Sequence, residues 1–293
     1  MIITAQAVKN LRDQTGAPMM DCKKALEETQ GDIEAAIKLM REQGKLKATK
    51  KSGRIAAEGR IVIAVAKDHK KAIIVEMNCE TDFVAKDSSF VAFSEAVAQL
   101  ALKEGTVNIE ALKSLSLENG QAIEDRRQEL VGKIGENIQL RRAEFLASAG
   151  YVGSYLHGSR IGVLVSLDKA DEGLAKDIAM HIAASRPLAV NESQVSPDIL
   201  ASERDIYRKQ AQETGKPADI IEKMVEGRVQ KFIKEQCLVG QVFVKNSDQI
   251  VGALLKERGV NVLGFVRFEV GEGIEKEKGD FAKEVMEQMK GRI

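Results

Sequence analysis

The chain has 293 residues, and its 44 lysine and arginine residues are balanced by 44 aspartate and glutamate residues, so its formal net charge is zero. This balance excludes the broad basic field that drives nonspecific binding to nucleic acid, and it favours a protein or small-molecule partner. Hydrophobic residues make up 44% and charged residues 30% of the sequence, a mixture that predicts several folded modules and argues against a disordered chain.

The sequence shows no sign of a membrane segment or of a disulfide framework. The first residues lack an apolar core of signal-peptide length, and no stretch reaches the roughly 20 apolar residues of a membrane span. We therefore expect a cytoplasmic protein without a membrane partner. Cys22, Cys79 and Cys237 lie far apart without a CxxC motif, so reduced and partly buried thiols are expected rather than disulfides or a zinc site.

The first part of the chain predicts three short helices. They cover residues 4–43, with Thr4 as the cap of the first helix and glycine-containing breaks at 16–18 and 31–32. The segment KLKATKKSGR (45–54) then predicts a charged linker. A domain boundary near its end follows.

From residue 60 the pattern changes to alternating β-branched residues. RIVIAVAKDHKKAIIVEMN predicts two strands joined by a turn at 67–71, and a helix capped by Ser88 or Ser89 follows. The same order returns in YVGSYLHGSRIGVLVSL (151–167), which precedes the helical segment DEGLAKDIAMHIAAS. We infer two related strand-strand-helix units.

The last third of the chain predicts a helical hairpin and a return to strands. Ser196 and Pro197 suit a helix start, and the reversal at 215–217 brings a second amphipathic helix back alongside the first. GQVFVKN and VNVLGFVRFEV predict strands, and GDFAKEVMEQMK (279–290) predicts a short amphipathic helix. Because strands and helices occur in blocks, the predicted class is α+β.

No motif for a cofactor, a metal or catalysis is evident. No GxxxxGK[ST] occurs, and GEGIEK lacks the GxGxxG spacing, so we expect no cofactor and no direct nucleotide binding. The histidines are too scattered for metal ligands: His69 is expected to be solvated, and His181 to be a satisfied core or interface residue. We expect no enzyme activity, although a nucleophilic pair of Cys79 and His157, without a local protease signature, stays open.

The stretch NCETDFVAKD (78–87) places an acid and a phenylalanine at the end of a predicted strand. In a structural interpretation, Thr81 or Asp82 caps a helical turn, worth about 0.5–2 kcal/mol, while Phe83 and Val84 fold back onto the sheet. In a functional interpretation, Phe83 points outward as a rigid wedge beside an acid, and its burial in a partner is worth about 1.5–3 kcal/mol. The residues alone leave both open.

Seven segments together resemble one family. LRDQTGAPMMDCKKAL, GDIEAAIKLMR, NCETDFVAKDSSF, KIGENIQLRR, GSYLHGSRIGVLV, GKPADIIEKMVEGR and GFVRFEVGEGIEK closely resemble, in the same order, segments of the bacterial elongation factor Ts family. Members of this family are nucleotide exchange factors of the GTPase elongation factor Tu. Pro18 stands where the family commonly has a glycine and Val242 where it usually has a proline, but neither lies in the most characteristic segment, NCETDFVAKDSSF.

The resemblance implies a domain organisation. The inferred repeat corresponds to two core subdomains, and the helical hairpin to an inserted coiled coil. The expected division is 1–52 for a three-helix module of the ubiquitin-associated type, 53–140 for the core N-subdomain, 141–195 with 239–274 for the core C-subdomain, 196–238 for the inserted hairpin, and 275–293 for a C-terminal module.

The resemblance also implies which residues meet elongation factor Tu. Four residues would disturb the partner's Mg²⁺ site and promote GDP release: Thr81, Asp82, Phe83 and Val84. Four others would bind the partner elsewhere: Arg12, Met19, Met20 and His157.

Several alternatives remain at this stage. Met19 and Met20 can instead pack the three-helix core, and His157 can have only a structural role in its turn. The helical hairpin can mediate self-association, giving a homodimer within a larger complex, or merely decorate the core. As an alternative function, the N-terminal module alone suggests an adaptor or chaperone scaffold of the ubiquitin-associated type without exchange activity.

Overall fold

The computed structural model describes residues 3–275, which contain both helices and strands in blocks and so confirm the α+β class. The helices of this part are α1 Ala5–Thr15, α2 Met19–Glu28, α3 Ile33–Lys51, α4 Asp82–Ala85, α5 Ser88–Glu104, α6 Ile109–Ser114, α7 Ile123–Ile134, α8 Glu172–Ser185, α9 Pro197–Gln212, α10 Ala218–Gln236 and α11 Val251–Arg258. The strands are β1 Glu58–Val65, β2 Lys71–Cys79, β3 Ile138–Ala147, β4 Tyr151–His157, β5 Ile161–Leu167, β6 Val242–Phe243, β7 Asn246–Ile250 and β8 Val262–Glu269. Every helix among these residues is too short or too polar to cross a bilayer.

The helix predicted at 279–290 lies outside the described residues, as does nearly all of the expected module 275–293.

Helices α1 and α2 and the start of α3 lie where the sequence predicts them. The Thr4 hydroxyl accepts a hydrogen bond from the Ala7 amide at 3.2 Å, and Gly16 ends α1 in the left-handed conformation at φ 64°. Asp32 caps α3 in the same way, through the Ala35 amide at 3.0 Å. The three helices enclose a small core of Val8, Leu11, Cys22, Ala25, Leu26 and Ala36.

The predicted charged linker at 45–54 is wrong, because α3 continues through it to Lys51. The segment contains Leu, Ala and Lys, which favour helix, and two of its lysines find acceptors on α7 and just beyond it. Lys45 pairs with Asp125 at 2.9 Å, and Lys51 donates to the Gly135 carbonyl. Ala48 is buried in the core behind the first sheet, so one continuous helix belongs to both the N-terminal module and the core.

The strands form two three-stranded antiparallel sheets, with the orders β1-β2-β3 and β4-β5-β8. The two hairpins β1–β2 and β4–β5 confirm the predicted strand pairs. The strand β3 was not predicted. The expected subdomain boundary at residue 140 falls inside β3, and the whole strand pairs with β2 in the first sheet.

The two sheets pack face to face through apolar side chains from both of them. This central core contains Ile61, Ala72, Ile74, Val152, Leu164, Val266, Phe268 and Val270. The sheets lie so close that a Cβ at Gly162 would be 2.5 Å from Ile61 Cγ2. The outer face of the first sheet is covered by α4 to α7 and that of the second by α8 and α11, which gives four layers in the order α, β, β, α.

The predicted helical hairpin is present as α9 and α10. Pro197 stands in the first turn of α9, and the two helices enclose their own apolar cluster, which includes Ala211, Val225 and Val229. The return to strands is shorter than predicted, since β6 has only two residues and α11, which was not predicted, separates β7 from β8.

A buried carboxylate joins the second sheet to the first. Glu76 on β2 is fully buried, and Arg141 Nη1 and Arg142 Nε on β3 donate to it at 2.9 and 2.5 Å. The amide of Gly271, just after β8, donates to the same side chain at 2.8 Å. The guanidinium of Arg142 also lies 4.1 Å from the centre of the Phe268 ring. The end of β8 is therefore tied to the middle of the first sheet.

We predict that Glu76→Ala destabilises the protein by about 3–5 kcal/mol, because the substitution leaves two guanidinium groups and an amide without their buried acceptor. Urea unfolding followed by circular dichroism measures this loss. Glu110→Ala is the control: this carboxylate pairs with Lys113 on the surface, so its loss is expected to cost less than about 1 kcal/mol. Equal effects of the two substitutions would contradict the role of Glu76.

Candidate partner-binding site

The stretch between β2 and α5 folds into a single helical turn, α4. The Thr81 hydroxyl accepts from the Val84 amide at 3.4 Å and so caps the turn, as the structural interpretation expected. Val84 and Ala85 are buried in the core of the first sheet. This turn is therefore anchored to the sheet by its second half.

Phe83 does not follow Val84 into the core. Its side chain is 81% exposed, the largest exposed fraction among the exposed large hydrophobic residues of the described part of the chain. The structural interpretation is therefore wrong for the ring of Phe83, although it holds for Val84. An aromatic ring in water lacks the favourable free energy of burial. A partner protein that covers Phe83 can therefore gain this free energy.

Asp82 lies beside the ring and is also exposed. Lys86 Nζ donates to its carboxylate at 2.7 Å, and this hydrogen bond lowers the pKa of Asp82. Exposed pairs of this kind contribute little to stability, so the carboxylate is ionised and can exchange Lys86 for another partner.

The turn is held by a loop that was not singled out as functional from the sequence. The carboxylate of Glu136 accepts from the Thr81 amide at 3.0 Å and from its hydroxyl at 2.7 Å. In return, the carboxylate of Glu80 accepts from the Asn137 amide at 2.6 Å. Each of the two connections, the one after β2 and the one before β3, thus uses a carboxylate to accept hydrogen bonds from the other. These hydrogen bonds fix the backbone that carries Phe83.

Asn137 extends this junction to a third connection. Its amide side chain donates to the carbonyls of Ser52 and Arg54 at 3.3 and 2.8 Å, in the connection between α3 and β1. In the sequence, the segment KIGENIQLRR stands out only through its family resemblance. A local signal existed, because the acid and amide of GEN directly precede the alternating residues of a strand.

The start of α5 differs from the prediction by one residue. Asp87 caps the helix by accepting from the amides of Ser89 and Phe90 at 2.9 and 3.2 Å, so neither Ser88 nor Ser89 is the cap. Aspartate is as good a cap as serine, and the three candidates stand side by side.

His157 lies at the same end of the two sheets as Phe83. It is the last residue of β4, and Arg160 in the following turn pairs with Glu58 at 2.5 Å. Glu58 is opposite Cys79 in the β1–β2 register, and Cys79 directly precedes the TDF stretch. We call this end, at which β2 ends and the β4–β5 turn lies, the Cys79 end of the sandwich.

The N-terminal module also exposes its expected residues. Met19 and Met20, in the first turn of α2, are 50% and 60% exposed, so they do not pack the three-helix core. Arg12 on α1 is exposed as well. A Cβ at Gly16 would lie 2.8 Å from Lys133 Nζ, and this amino group donates to Ser89 at 3.4 Å, so the α1–α2 loop approaches the start of α5.

The alternative nucleophilic pair finds no support. Cys79 is buried, its thiol donates to the Thr81 carbonyl at 3.1 Å, and burial raises the pKa of the thiol to about 12. The ring of His157 has a different partner, the Tyr155 hydroxyl at 3.2 Å. Within residues 3–275 no group of three or more acidic, histidine or cysteine side chains is placed to hold a metal ion.

The other two histidines have structural environments. His181 is buried; its Nδ1 accepts from the Val244 amide at 3.2 Å and its Nε2 lies 3.0 Å from Gln241 Oε1, which confirms a satisfied core histidine. Burial lowers the pKa of His181. The prediction that His69 is solvated is wrong, because its ring is half-buried and stacks on Tyr151 at a centroid distance of 4.7 Å.

Comparison with known proteins gives a consistent result. The family model described as elongation factor TS matches residues 80–272. Elongation factor Ts of Methylococcus capsulatus is 57% identical over 99% of both chains. Those of Thioalkalivibrio sulfidiphilus and Coxiella burnetii are 55% and 54% identical, each over 99% of this chain and over 100% and 98% of their own lengths.

We predict that Thr81→Val loosens the turn that carries Phe83, because valine can neither cap α4 nor donate to Glu136. A lost cap costs about 0.5–2 kcal/mol, so the amides of α4 should exchange hydrogen about two- to thirtyfold faster. Hydrogen exchange resolved by mass spectrometry measures this. Thr106→Val removes a comparable but exposed hydroxyl contact and should leave α4 unchanged. Equal protection of α4 in all three proteins would contradict the anchoring role of Thr81.

We also predict that the native protein does not react with Ellman's reagent at pH 8. All three cysteines are buried, and with its pKa at about 12 the Cys79 thiol is ionised in about one molecule in 10,000 at this pH. Three thiols should react after denaturation. Rapid reaction of native Cys79 would revive the nucleophile hypothesis.

Proposed function

The chain belongs to the elongation factor Ts family, and on this premise we propose that it is a guanine-nucleotide exchange factor. It binds elongation factor Tu in its GDP-bound form and promotes GDP release, so that GTP can rebind during translation elongation. The observation that carries the proposal is the exposed Phe83 on an anchored turn. Such a factor acts in the cytoplasm and needs no catalytic group, bound nucleotide, membrane or nucleic acid of its own.

The proposed mechanism is differential binding by the segment Thr81–Val84. Phe83 enters the partner near its Mg²⁺ site, and burial of the ring supplies about 1.5–3 kcal/mol. Asp82 enters with it and perturbs the charges there. Because Mg²⁺ demands near-ideal octahedral geometry while it bridges nucleotide phosphates, small displacements of its surroundings weaken GDP binding.

The free energy of burying one ring limits how much the segment Thr81–Val84 alone can accelerate GDP release. Each 1.36 kcal/mol removed from the release barrier gives a tenfold faster release, so one ring accounts for about one to two decades. Larger accelerations require more contacts. We assign these to Arg12, Met19 and Met20 on the N-terminal module, where flexible thioethers suit an adaptable contact, and to His157 at the Cys79 end of the sandwich.

Reciprocity limits how long the factor stays bound. If the factor weakens GDP binding by a given ratio, GDP must weaken binding of the factor by the same ratio. A nucleotide that enters the emptied site therefore helps to expel the factor, which can then act on another GTPase.

The division into domains is also part of this proposal, with the boundary between the two core subdomains placed after β3 instead of at residue 140. Self-association through α9 and α10 is a further part.

We predict that the wild-type protein, in catalytic amounts, accelerates release of a fluorescent GDP analogue from elongation factor Tu. Phe83→Ala should reduce this acceleration about ten- to hundredfold and change the free energy of unfolding by less than about 0.5 kcal/mol, since the ring is exposed. Val107→Ala truncates another exposed residue, in the connection between α5 and α6, and should be neutral.

The two negative outcomes differ in meaning. No acceleration by the wild-type protein would favour the adaptor or chaperone scaffold. Undiminished acceleration by folded Phe83→Ala would refute the wedge.

A further inference from the structure

We infer that α7 positions both partner-facing elements, the N-terminal module and the turn α4. The packing of Gly132 on Gly44 then sets the position of Met19 and Met20 relative to Phe83. Gly132 is thus a positioning residue: it touches no partner and acts through the elements that its contact places, whereas Gly44 contributes only its backbone to this contact. The inference rests on the proposed function.

The first step is the continuity of α3. Its first half closes the N-terminal module through Ala36, and its second half enters the core through Ala48. Because one unbroken helix serves both, no flexible linker separates the module from the core. The orientation of Met19 and Met20 is consequently fixed by where α3 lies on α7.

The second step is how closely α3 and α7 approach. A Cβ at Gly132 would lie 3.0 Å from Gly44 Cα, tighter than an ordinary contact, so the two backbones touch without side chains between them. A Cβ at Gly44 would instead meet only the Gln128 carbonyl, at an ordinary 3.6 Å. The contact is therefore sensitive to a side chain at Gly132 and tolerant of a methyl group at Gly44.

Charged contacts flank this packing but do not replace it. Arg41 pairs with Glu129 at 3.3 Å and Lys45 with Asp125 at 2.9 Å, and in each pair the basic side chain is exposed. Exposed pairs contribute little energy. The spacing of the helices depends mainly on the glycine contact.

The third step is that the same segment holds the TDF turn. Glu136, which binds Thr81, follows Gly132 by only four residues, and Lys133 between them contacts Ser89. The end of α3 is tied to this same loop, since Lys51 donates to the Gly135 carbonyl. A side chain at Gly132 therefore tilts α3 about that end, which changes the spacing between Met20 and Phe83 while the turn of Phe83 stays anchored.

The test substitutes Gly132 with leucine. Helix axes that cross without intervening side chains lie near 8 Å and those with large ones near 10 Å, so α3 should move by up to about 2 Å. Acceleration of GDP release should fall about ten- to hundredfold, the range for the loss of one buried side chain. Gly132→Ala should give a smaller loss in the same direction.

Two controls carry the same chemical change elsewhere. Gly44→Ala lies in the same contact but has room for its methyl group, and Gly227→Ala on α10 has no neighbour within 4 Å. Both should exchange GDP at the wild-type rate. If Gly44→Ala were as damaging as Gly132→Ala, the loss would reflect the helices' composition and not their contact, and the inference would fail.

A second measurement reports position instead of activity. Nitroxide labels on Lys24→Cys and Lys103→Cys join the module to the core, and the native thiols are buried. Pulsed electron resonance should show a changed distance in Gly132→Leu and Gly132→Ala but not in Gly44→Ala. An unchanged distance in the folded Gly132 variants would overturn the inference whatever the exchange rate.

A double substitution separates positioning from general damage. Met20→Ala should slow exchange in the wild-type background but add little to Gly132→Leu, because the methionine is already out of place; full additivity would overturn the inference. If the wild-type protein itself gave no acceleration, the proposed function would fail. The label distances would still decide whether Gly132 places the module.

Discussion

The double acceptance by the Glu136 carboxylate, from the amide and the hydroxyl of Thr81, is the interaction on which the site depends. An exposed phenylalanine is costly in water, and a free turn would let the ring find the nearby sheet. The carboxylate prevents this by fixing the backbone just before the ring, while Val84 fixes it just after. The ring is thus presented in water because its neighbours on both sides are satisfied elsewhere.

The packing of two antiparallel sheets explains why distant parts of the sequence meet. In each sheet, connections return to the same end after two strands, so the TDF turn, the loop before β3 and the β4–β5 turn all reach the Cys79 end of the sandwich. The buried Glu76 keeps the sheets in register by joining the end of β8 to β2 and β3. The two sheets therefore position these three connections, and no single loop has to span the site.

Much of the fold followed from local signals, and the parts that did not have physical reasons. Alternating β-branched residues were sufficient to predict the two hairpins, and the cap at Thr4 with the breaks at 16–18 and 31–32 was sufficient to predict α1, α2 and the start of α3. The segment 45–54 was mistaken for a linker because its charge is balanced by α7, which the sequence does not place beside it. The direction of Phe83 was not decidable from sequence, since Thr81 caps the turn in either interpretation, and Glu136 lies 55 residues from its partner.

The helical excursion between β5 and β8 begins and ends at neighbouring backbone positions. The Leu188 amide donates to the Gln236 carbonyl and the Leu238 amide to the Ala189 carbonyl, both at 2.9 Å. The chain therefore leaves and re-enters the sandwich at two hydrogen-bonded backbone segments. Beyond these segments, α9 and α10 pack against each other around their own apolar cluster. A change in the length of this arm can therefore leave the sandwich intact, provided that the two chain segments which enter and leave the arm stay paired.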